Sequence, residues 1–537
     1  MTESFDVVVL GSGIAGLTAA FTAASKGLSV AVLEKWDKLG GSTAWSAGQI
    51  WIANNPYETE AGIDDSEQDA VDYLMSLSRG ILDEEVARNL ARNGPRVLDY
   101  LDEVGKIGLY IVNDVPDYHP SNPGGKPGGG RTLEMPLFPF SELGEWADKV
   151  TMSPYLPKNF KSTETMLGAV VPQPPSAEEL KRREITDERG MGQAIIGWLL
   201  KLCLDNGVVV YTEHRATQLV ETDGRITGVI AQTPAGENQF DGSRGVILAT
   251  GGFEWNENLK KTFLRGPLNL PVTVPTSEGD GLYMARKVGA DLQNMREAWW
   301  SPIAELPAGV NSMNRAMVSS DRTRPRSIMV NRAGRRFANE AASYNALGGA
   351  LHQEDVASFS YANLPAYLVF DQGYMDLYGS VGAPADAEHP WLKSAETLAD
   401  LAVEIDVPAD VLVATVERWN ANVASGHDPD FHRGESAHDL WWGDPYKKGT
   451  IEGTLGPIDK GPFYALEVNI GSLGTKGGPR TDEHTRVIDL DGNVIEGLYA
   501  AGNVSSPLGM AYTGAGGTLG PCLVYGFLAG EHVSHII

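Results

Sequence analysis

The residues of this chain with the clearest chemical potential are Gly11, Ser12, Gly13, Ala15, Gly16 and Glu34. Glycines spaced as GxGxxG let a backbone turn sharply and approach a phosphate closely, while the N–H groups of a following helix point at the anion. A carboxylate eighteen positions beyond Gly16 stands where it can accept the ribose hydroxyls of a dinucleotide. Alone, the glycine pattern describes many turns. Here it follows residues 5–10, a β-branched run apolar apart from Asp6 and suited to a parallel strand buried on both faces, and it opens an alanine-rich helical stretch ending at Gly27. A second such strand, LSVAVLE, ends on Glu34. Strand, turn, helix and strand in that order predict a dinucleotide site.

Three further clusters choose among dinucleotides. After Glu34 and Lys35 comes a second glycine and hydroxyl loop, with Gly41, Ser42, Thr43, Ser46, Ala47 and Gly48. A nicotinamide domain does not need it, whereas flavoproteins use such a loop beside the pyrophosphate and the isoalloxazine; an ordinary surface turn is the alternative. Thr250, Gly251 and Gly252 close another strand-like run. Near the C-terminus stand Gly502 and Asn503, then Gly516, Gly517, Thr518 and Leu519 ahead of an apolar helical stretch. A helix starting near Gly516 would turn its positive end to the flavin's pyrimidine side and stabilise the anionic reduced ring. The expectation is FAD, bound non-covalently, since the 41–43 loop offers no histidine to link the ring.

The elements that must position these loops are consistent with an α/β chain. With 537 residues, length alone suggests about three structural units. Its 43 Lys+Arg against 70 Asp+Glu leave a net charge of −27, which argues against a nucleic-acid partner. Cys203 and Cys522 lie far apart and outside any CxxC pair, giving no disulfide framework or thiolate zinc site and suiting a reducing cytoplasm. The histidines form no HxxxH or HExxH ligand set. No basic-then-apolar leader opens the sequence, and the longest apolar stretch, 195–211, is broken by Lys201 and Asp205, so a cytoplasmic protein is expected. Residues 189–207 read as an amphipathic helix, Asp223-Gly224 as a hairpin turn, and 115–131 as a Pro/Gly-rich loop. The apolar, proline-broken stretch 167–175 has two readings, a packed loop or an exposed flap touching a membrane or a lipid-like substrate.

Taken together, the clusters resemble the flavoprotein fold shared by succinate dehydrogenase, fumarate reductase and the 3-ketosteroid dehydrogenases. More narrowly, the chain resembles the 3-ketosteroid Δ1-dehydrogenases over nearly its full length, through GGSTAWSAGQIW, PDYHPSNPGGKPGGGR, ATGGFEWN, SEGDGLYMARKVGADL, EAWW, MVNRAGRRFANEAASY, LGTKGGPRTD and LYAAGN. The resemblance implies a Rossmann-like FAD-binding domain (1–275 and 455–537) with an inserted α+β catalytic cap (276–454). It implies desaturation of a ring ketone beside its carbonyl, with a 3-ketosteroid as first substrate and an external electron acceptor such as a quinone. It further implies that Tyr512 and the Gly516 backbone N–H donate to the carbonyl oxygen, that Tyr344 is the base, that Tyr118 assists it, and that Ala216 joins the FAD contacts.

That chemistry removes a proton beside the carbonyl and a hydride from the next carbon, so it needs oxyanion donors and a base. A tyrosine base is difficult, because its ordinary pKa is near 10; lowering it takes donors or positive charge, and a second tyrosine supplies only donors. The chain also departs from the family pattern YPGPG, reading Tyr512-Thr513-Gly514-Ala515-Gly516, which removes two φ restraints from the turn. A simple cyclic ketone therefore stays open as substrate. A fumarate-reductase-like activity would need a cationic clamp; the one comparable cluster, Arg322-Thr-Arg324-Pro-Arg326, is read as a solvated basic loop, and Trp299-Trp300 as the wall of an apolar ligand site. A flavin subunit that only passes electrons is the remaining alternative.

Overall fold

The computed structural model describes residues 2–381 and 383–536. Residues 7–10 and 30–33 are uniformly apolar and buried, and they pair in parallel inside an eight-stranded sheet. Thr2–Leu10 lies between Val30–Leu33 and Gly236–Leu248, with Val209–Tyr211 beyond the first and Val494–Ala500 beyond the second. The hairpin Arg215–Thr222/Arg225–Thr233 extends from Gly236–Leu248, turning at Asp223 and Gly224, whose φ of 52° and 77° are the left-handed values that such two-residue turns require.

Helix Ile14–Ser25 packs against the C-terminal helix Leu519–His535. The approach is close because Gly526 and Gly530 face it: a Cβ there would stand 2.4 and 2.5 Å from the backbone oxygens of Ala15 and Ala19. The C-terminal helix begins three residues after Gly516, at Leu519. The 189–207 stretch forms helix Met191–Asp205, but its first seven residues are buried on every side, so it is a core helix and not the amphipathic one expected.

A second sheet of seven strands carries Arg315–Met317, Ala298–Glu305, Phe463–Thr475, Ala366–Asp371 and Ser327–Asn331 in that order. Its strands alternate. Met329, Leu368, Phe370 and Leu466 face one apolar cluster with Leu347 and Leu351 of helix Tyr344–Leu351, while Ile328, Val330, Val369 and Ala465 face another with Leu412, Val416 and Trp419 of helix Ala409–Ala424. The whole is the mixed α/β architecture expected. Against the division at 1–275, 276–454 and 455–537, which stays a proposal, the strand Phe463–Thr475 belongs to the second sheet although it follows residue 454. No helix among the described residues is long and apolar enough to cross a membrane.

Candidate active site

A cavity of ≈780 Å³ runs from the Gly11 loop and Glu34 at one end to Tyr118, Tyr344 and Tyr512 at the other. Of the sequence-predicted cofactor residues, Gly11, Ser12, Gly13, Ala15, Glu34, Lys35, Gly41, Ser42, Thr43, Ser46, Ala47, Gly48, Ala216, Thr250, Gly251, Gly502, Asn503, Thr518 and Leu519 line it. Gly16, Gly252 and Gly517 do not. Each is a close-approach position: a Cβ at Gly16 would stand 2.0 Å from the Gly11 oxygen, at Gly252 2.3 Å from Thr475 Oγ1, and at Gly517 2.7 Å from Thr513 Oγ1.

The lining suits an elongated dinucleotide. Helix Ile14–Ser25 starts behind Gly13 with no side-chain cap and no acidic residue in its first turn, leaving its positive end for a phosphate. Glu34 is buried; its Oε2 accepts from Ser12 N (3.2 Å) and Ser12 Oγ (2.7 Å), and its Oε1 accepts from Trp36 N at 3.1 Å. Burial pushes this carboxyl above the usual carboxylate range, against the pull of those donors. Lys35 reaches the cavity wall, but its ammonium is committed to Glu278 at 2.9 Å and Asp280 at 2.8 Å.

At the far end the three phenols meet. Tyr118 comes from the Pro/Gly-rich loop, Tyr344 opens helix Tyr344–Leu351, and Tyr512 sits on the turn before the C-terminal helix. Tyr118 Oη donates to Tyr344 Oη at 3.0 Å, and Tyr344 Oη and Tyr512 Oη share a hydrogen bond of 2.6 Å. Burial drives all three phenols above their ordinary pKa, and for Tyr344 the two neighbouring phenols add to the rise.

Separate supports hold each phenol. Thr513 O accepts from Tyr118 N at 2.9 Å and from Tyr73 Oη at 2.6 Å, stitching the loop to the turn. Beneath the loop, Asp117 accepts from Trp51 Nε1 at 2.7 Å and from Arg131 Nη1 at 2.8 Å, and Arg131 turns its other side to Asp65. The turn that lacks the family's two prolines is pinned by hydrogen bonds instead: Thr132 Oγ1 donates to Ala515 O at 3.1 Å and Gly517 N to Gly514 O at 2.9 Å. Gly516 has φ +94°, and a Cβ on it would stand 2.6 Å from three backbone atoms of residues 49–51, so only glycine lets the turn lie against this strand.

Two expectations are corrected. The indoles of Trp299 and Trp300 do not line the cavity. Trp299 backs Tyr512 from behind, ring centroids 4.7 Å apart, with Nε1 donating to Asn503 Oδ1 at 2.9 Å. Trp300 lies under the helix of Tyr344, where its backbone N–H donates to Asn345 Oδ1 at 2.9 Å, its Nε1 donates to Glu297 Oε2 at 3.2 Å and its ring meets His352. Nor is the arginine cluster solvated. Arg322 is 2% exposed and Arg324 9%, and Arg322 lines the cavity. The 167–175 stretch is divided: Leu167 lines the cavity and its oxygen accepts from Gln49 Nε2 at 2.9 Å, Lys448 Nζ donates to Met166 O and Ala169 O at 3.0 and 2.5 Å, and Val170 and Val171 are exposed. Sequence reasoning missed Gln49, His438, Trp442 and Leu473 on the wall. His438, buried edge-on to Tyr118 at 5.3 Å, carries no local motif and is brought there by tertiary packing alone.

Known proteins resemble this chain over nearly its full length. The family model described as FAD binding domain matches residues 6–519. The 4-oxocyclohexanecarboxylate 2-dehydrogenase of Sinomonas cyclohexanicum is 41% identical, covering 99% of this chain and 93% of that protein. The 3-oxosteroid 1-dehydrogenase of Mycolicibacterium smegmatis is 38% identical over 98% of this chain and 96% of that one. Among solved structures, the 3-ketosteroid Δ1-dehydrogenase of Sterolibacterium denitrificans in complex with 1,4-androstadiene-3,17-dione superposes with a TM-score of 0.90 at 32% identity, covering 99% of both chains.

Proposed function

We propose that this chain, which belongs to the FAD binding domain family and is an FAD-dependent oxidoreductase of the 3-oxosteroid 1-dehydrogenase type, forms a C=C bond beside the carbonyl of a ring ketone. Our first substrate is a 3-ketosteroid, desaturated between its carbons 1 and 2. A smaller cyclic ketone is the second reading, favoured by the 41% identity to the 4-oxocyclohexanecarboxylate dehydrogenase. We take the electron acceptor to be an external quinone-class molecule, and the exposed Val170 and Val171 support contact between this flap and a lipid-like surface.

The chain's own residues divide the work. FAD, when bound along the Gly11 to Leu519 wall, supplies the hydride acceptor. Tyr512 Oη and the Gly516 N–H hold the carbonyl oxygen and stabilise the charge that grows on it as the α-proton leaves. Tyr344 Oη takes that proton, and Tyr118 Oη, 3.0 Å away, stabilises the charge it carries beforehand and offers it a way out afterwards. The arrangement also shields the enolate-like oxygen from bulk water, because Tyr118 and Tyr512 are buried.

One observation carries this reading: Tyr344 is the middle member of a hydrogen-bonded phenol trio inside the cavity that the glycine loops also line. The test is anaerobic bleaching of the flavin by androst-4-ene-3,17-dione or a cyclohexanone. Tyr344→Phe is expected to keep FAD and slow bleaching by about 10²–10⁴-fold, the range for a positioned base. Near-normal bleaching would remove Tyr344 as base. Failure of every ketone to bleach the wild type would remove the substrate class.

A further inference from the structure

Arg322 is a buried cation with no carboxylate in ion-pair contact. The arginines around it are matched: Arg324 faces Asp321 at 3.9 Å, Arg326 pairs with Asp371 and Asp459, and Arg433 pairs with Glu340 at 3.3 Å. Among the described residues no carboxylate oxygen lies within 4.0 Å of the Arg322 guanidinium, and its Nε has no acceptor. Burial lowers its pKa to about 10, which still leaves it charged at neutral pH. A lone buried charge is unfavourable unless something anionic meets it during function.

Its surroundings narrow what that anion is. Nη1 donates to the backbone oxygens of Glu340 and Ala342, so the guanidinium grips the loop that delivers Tyr344. The charged and titratable groups that face it are Arg433, Asp439, His438, Tyr344 and Tyr118. Arg433 is satisfied by Glu340. Asp439 already accepts from Gly434 N at 3.0 Å and Asn339 Nδ2 at 2.9 Å, and faces His438 at 3.8 Å. Asp439, held ionised by those donors, offsets part of the Arg322 charge from beyond 4.0 Å, and on the cavity side the remainder faces the two phenols. It supplies the positive charge that a tyrosine base needs and that a second tyrosine cannot give.

We propose that Arg322 is a positioning residue for proton abstraction: it fixes the 340–343 loop and stands as the permanent counter-charge against which the Tyr344–Tyr118 pair ionises. The inference rests on the reading of Tyr344 as base. In the step it serves, the α C–H bond breaks and its proton forms an O–H bond with the Tyr344 phenolate. The electron pair left behind becomes the new C=C bond as the β-hydrogen leaves, with its own pair, for the oxidised flavin. Tyr344 carries −1 before the step and 0 after it, so a fixed cation beside it lowers the pH at which the reactive form exists.

The experiment is the pH dependence of anaerobic flavin bleaching in the FAD-loaded full chain. The rate should rise with pH to a plateau, with a midpoint reporting the phenol pair. An opposite charge close by moves a pKa by about 1–3 units, so Arg322→Met is expected to shift the midpoint alkaline by about one unit or more and to slow bleaching below it about tenfold. Arg322→Lys keeps the charge but loses the two-carbonyl grip, so it should hold the midpoint near wild type while lowering the plateau. A wild-type midpoint in FAD-loaded Arg322→Met overturns the proposal. So does a KM increase confined to a carboxylated ring ketone with the midpoint unmoved, which would make Arg322 a substrate anchor. Should the Met variant not retain FAD, the Lys variant decides: a midpoint moved fully alkaline despite the retained charge refutes the counter-charge role. Tyr344→Phe separates the two readings, since loss of bleaching there with an unshifted Arg322→Met midpoint sinks only the present inference.

Discussion

Replacing Tyr512 with phenylalanine separates the proposed oxyanion donor from the packing that surrounds it. The ring is wedged between Trp299, Tyr118 and Tyr344, with centroids at 4.7, 5.2 and 5.6 Å, and Phe preserves all three contacts. What disappears is one hydroxyl, bonded to Tyr344 Oη at 2.6 Å; Tyr344 keeps Tyr118 at 3.0 Å. A single intramolecular hydrogen bond contributes about 0.5–1.5 kcal/mol net, so stability should fall by about 1 kcal/mol. The transition state loses more. One of two donors to the developing oxyanion is gone, and removal of such a donor lowers a rate by about 10²–10³, or about 2.7–4 kcal/mol. Kinetic loss should thus exceed stability loss by about 2 kcal/mol or more. Anaerobic stopped-flow bleaching with a ketone, run beside flavin content and urea unfolding, measures both sides. Bleaching within about fivefold of wild type, about 1 kcal/mol, would refute the donor assignment. A large fall accompanied by equal loss of bound FAD would refute it too, because the residue would then be acting through packing.

Two further outcomes follow from the same walls. Gly516→Ala places a methyl 2.6 Å from backbone atoms of Gln49, Ile50 and Trp51 at a φ of +94°, and none of those atoms can swing aside. The left-handed strain and the overpacking together should cost about 3 kcal/mol or more in urea unfolding and deplete FAD; an alanine variant of wild-type stability would contradict the turn geometry. Lys448, which holds the 166–169 backbone, has its pKa pulled by burial from 10.5 to about 7. Between those values the unfolded chain binds the extra proton, so this contribution to stability is fully present above the unfolded pKa and is lost as pH falls toward the folded one. Thermal midpoints of wild type minus Lys448→Met should therefore rise from about pH 7 to about pH 9.5, and a pH-independent difference would remove the buried-amine account.

What could be read in advance was what the chain encodes locally. The Gly11–Gly16 loop, Glu34 and the loops around Gly41, Thr250 and Gly502 each sit between elements whose periodicity is visible over ten residues, and they line one cavity. Phenols 118, 344 and 512 were legible only through a family pattern, since nothing local distinguishes them from the other tyrosines among 18. Burial of charge was not legible at all. The basic run 322–326 looks solvated because hydrophilic residues normally are, and only the folded chain reveals that Arg322 is enclosed. The adjacent indoles misled for a different reason: a strand alternates its faces, so Trp299 and Trp300 point to opposite sides, one behind Tyr512 and the other beneath the Tyr344 helix. Glycines 16, 252 and 517 share a pattern with the cavity-lining ones but serve close packing, a distinction that depends on which backbone lies opposite.

The phenols come from segments separated by 226 and 168 residues, so their hydrogen bonds exist only when three parts of the chain are held together at once. Each part has its own tether: Asp117 and Arg131 under the Tyr118 loop, Arg322 on the approach to Tyr344, and Thr132 against the Tyr512 turn. Two of these tethers are charged and buried, and they differ in one respect. Arg131 is neutralised by Asp65 and Asp117 at 2.7 and 2.8 Å, so its work is finished once the loop is in place. Arg322 has backbone oxygens for partners, which orient a guanidinium without cancelling its charge. A structural clamp needs no surplus charge; a site that must hold a phenolate among apolar rings does, and Arg322 lines the same cavity as Tyr344.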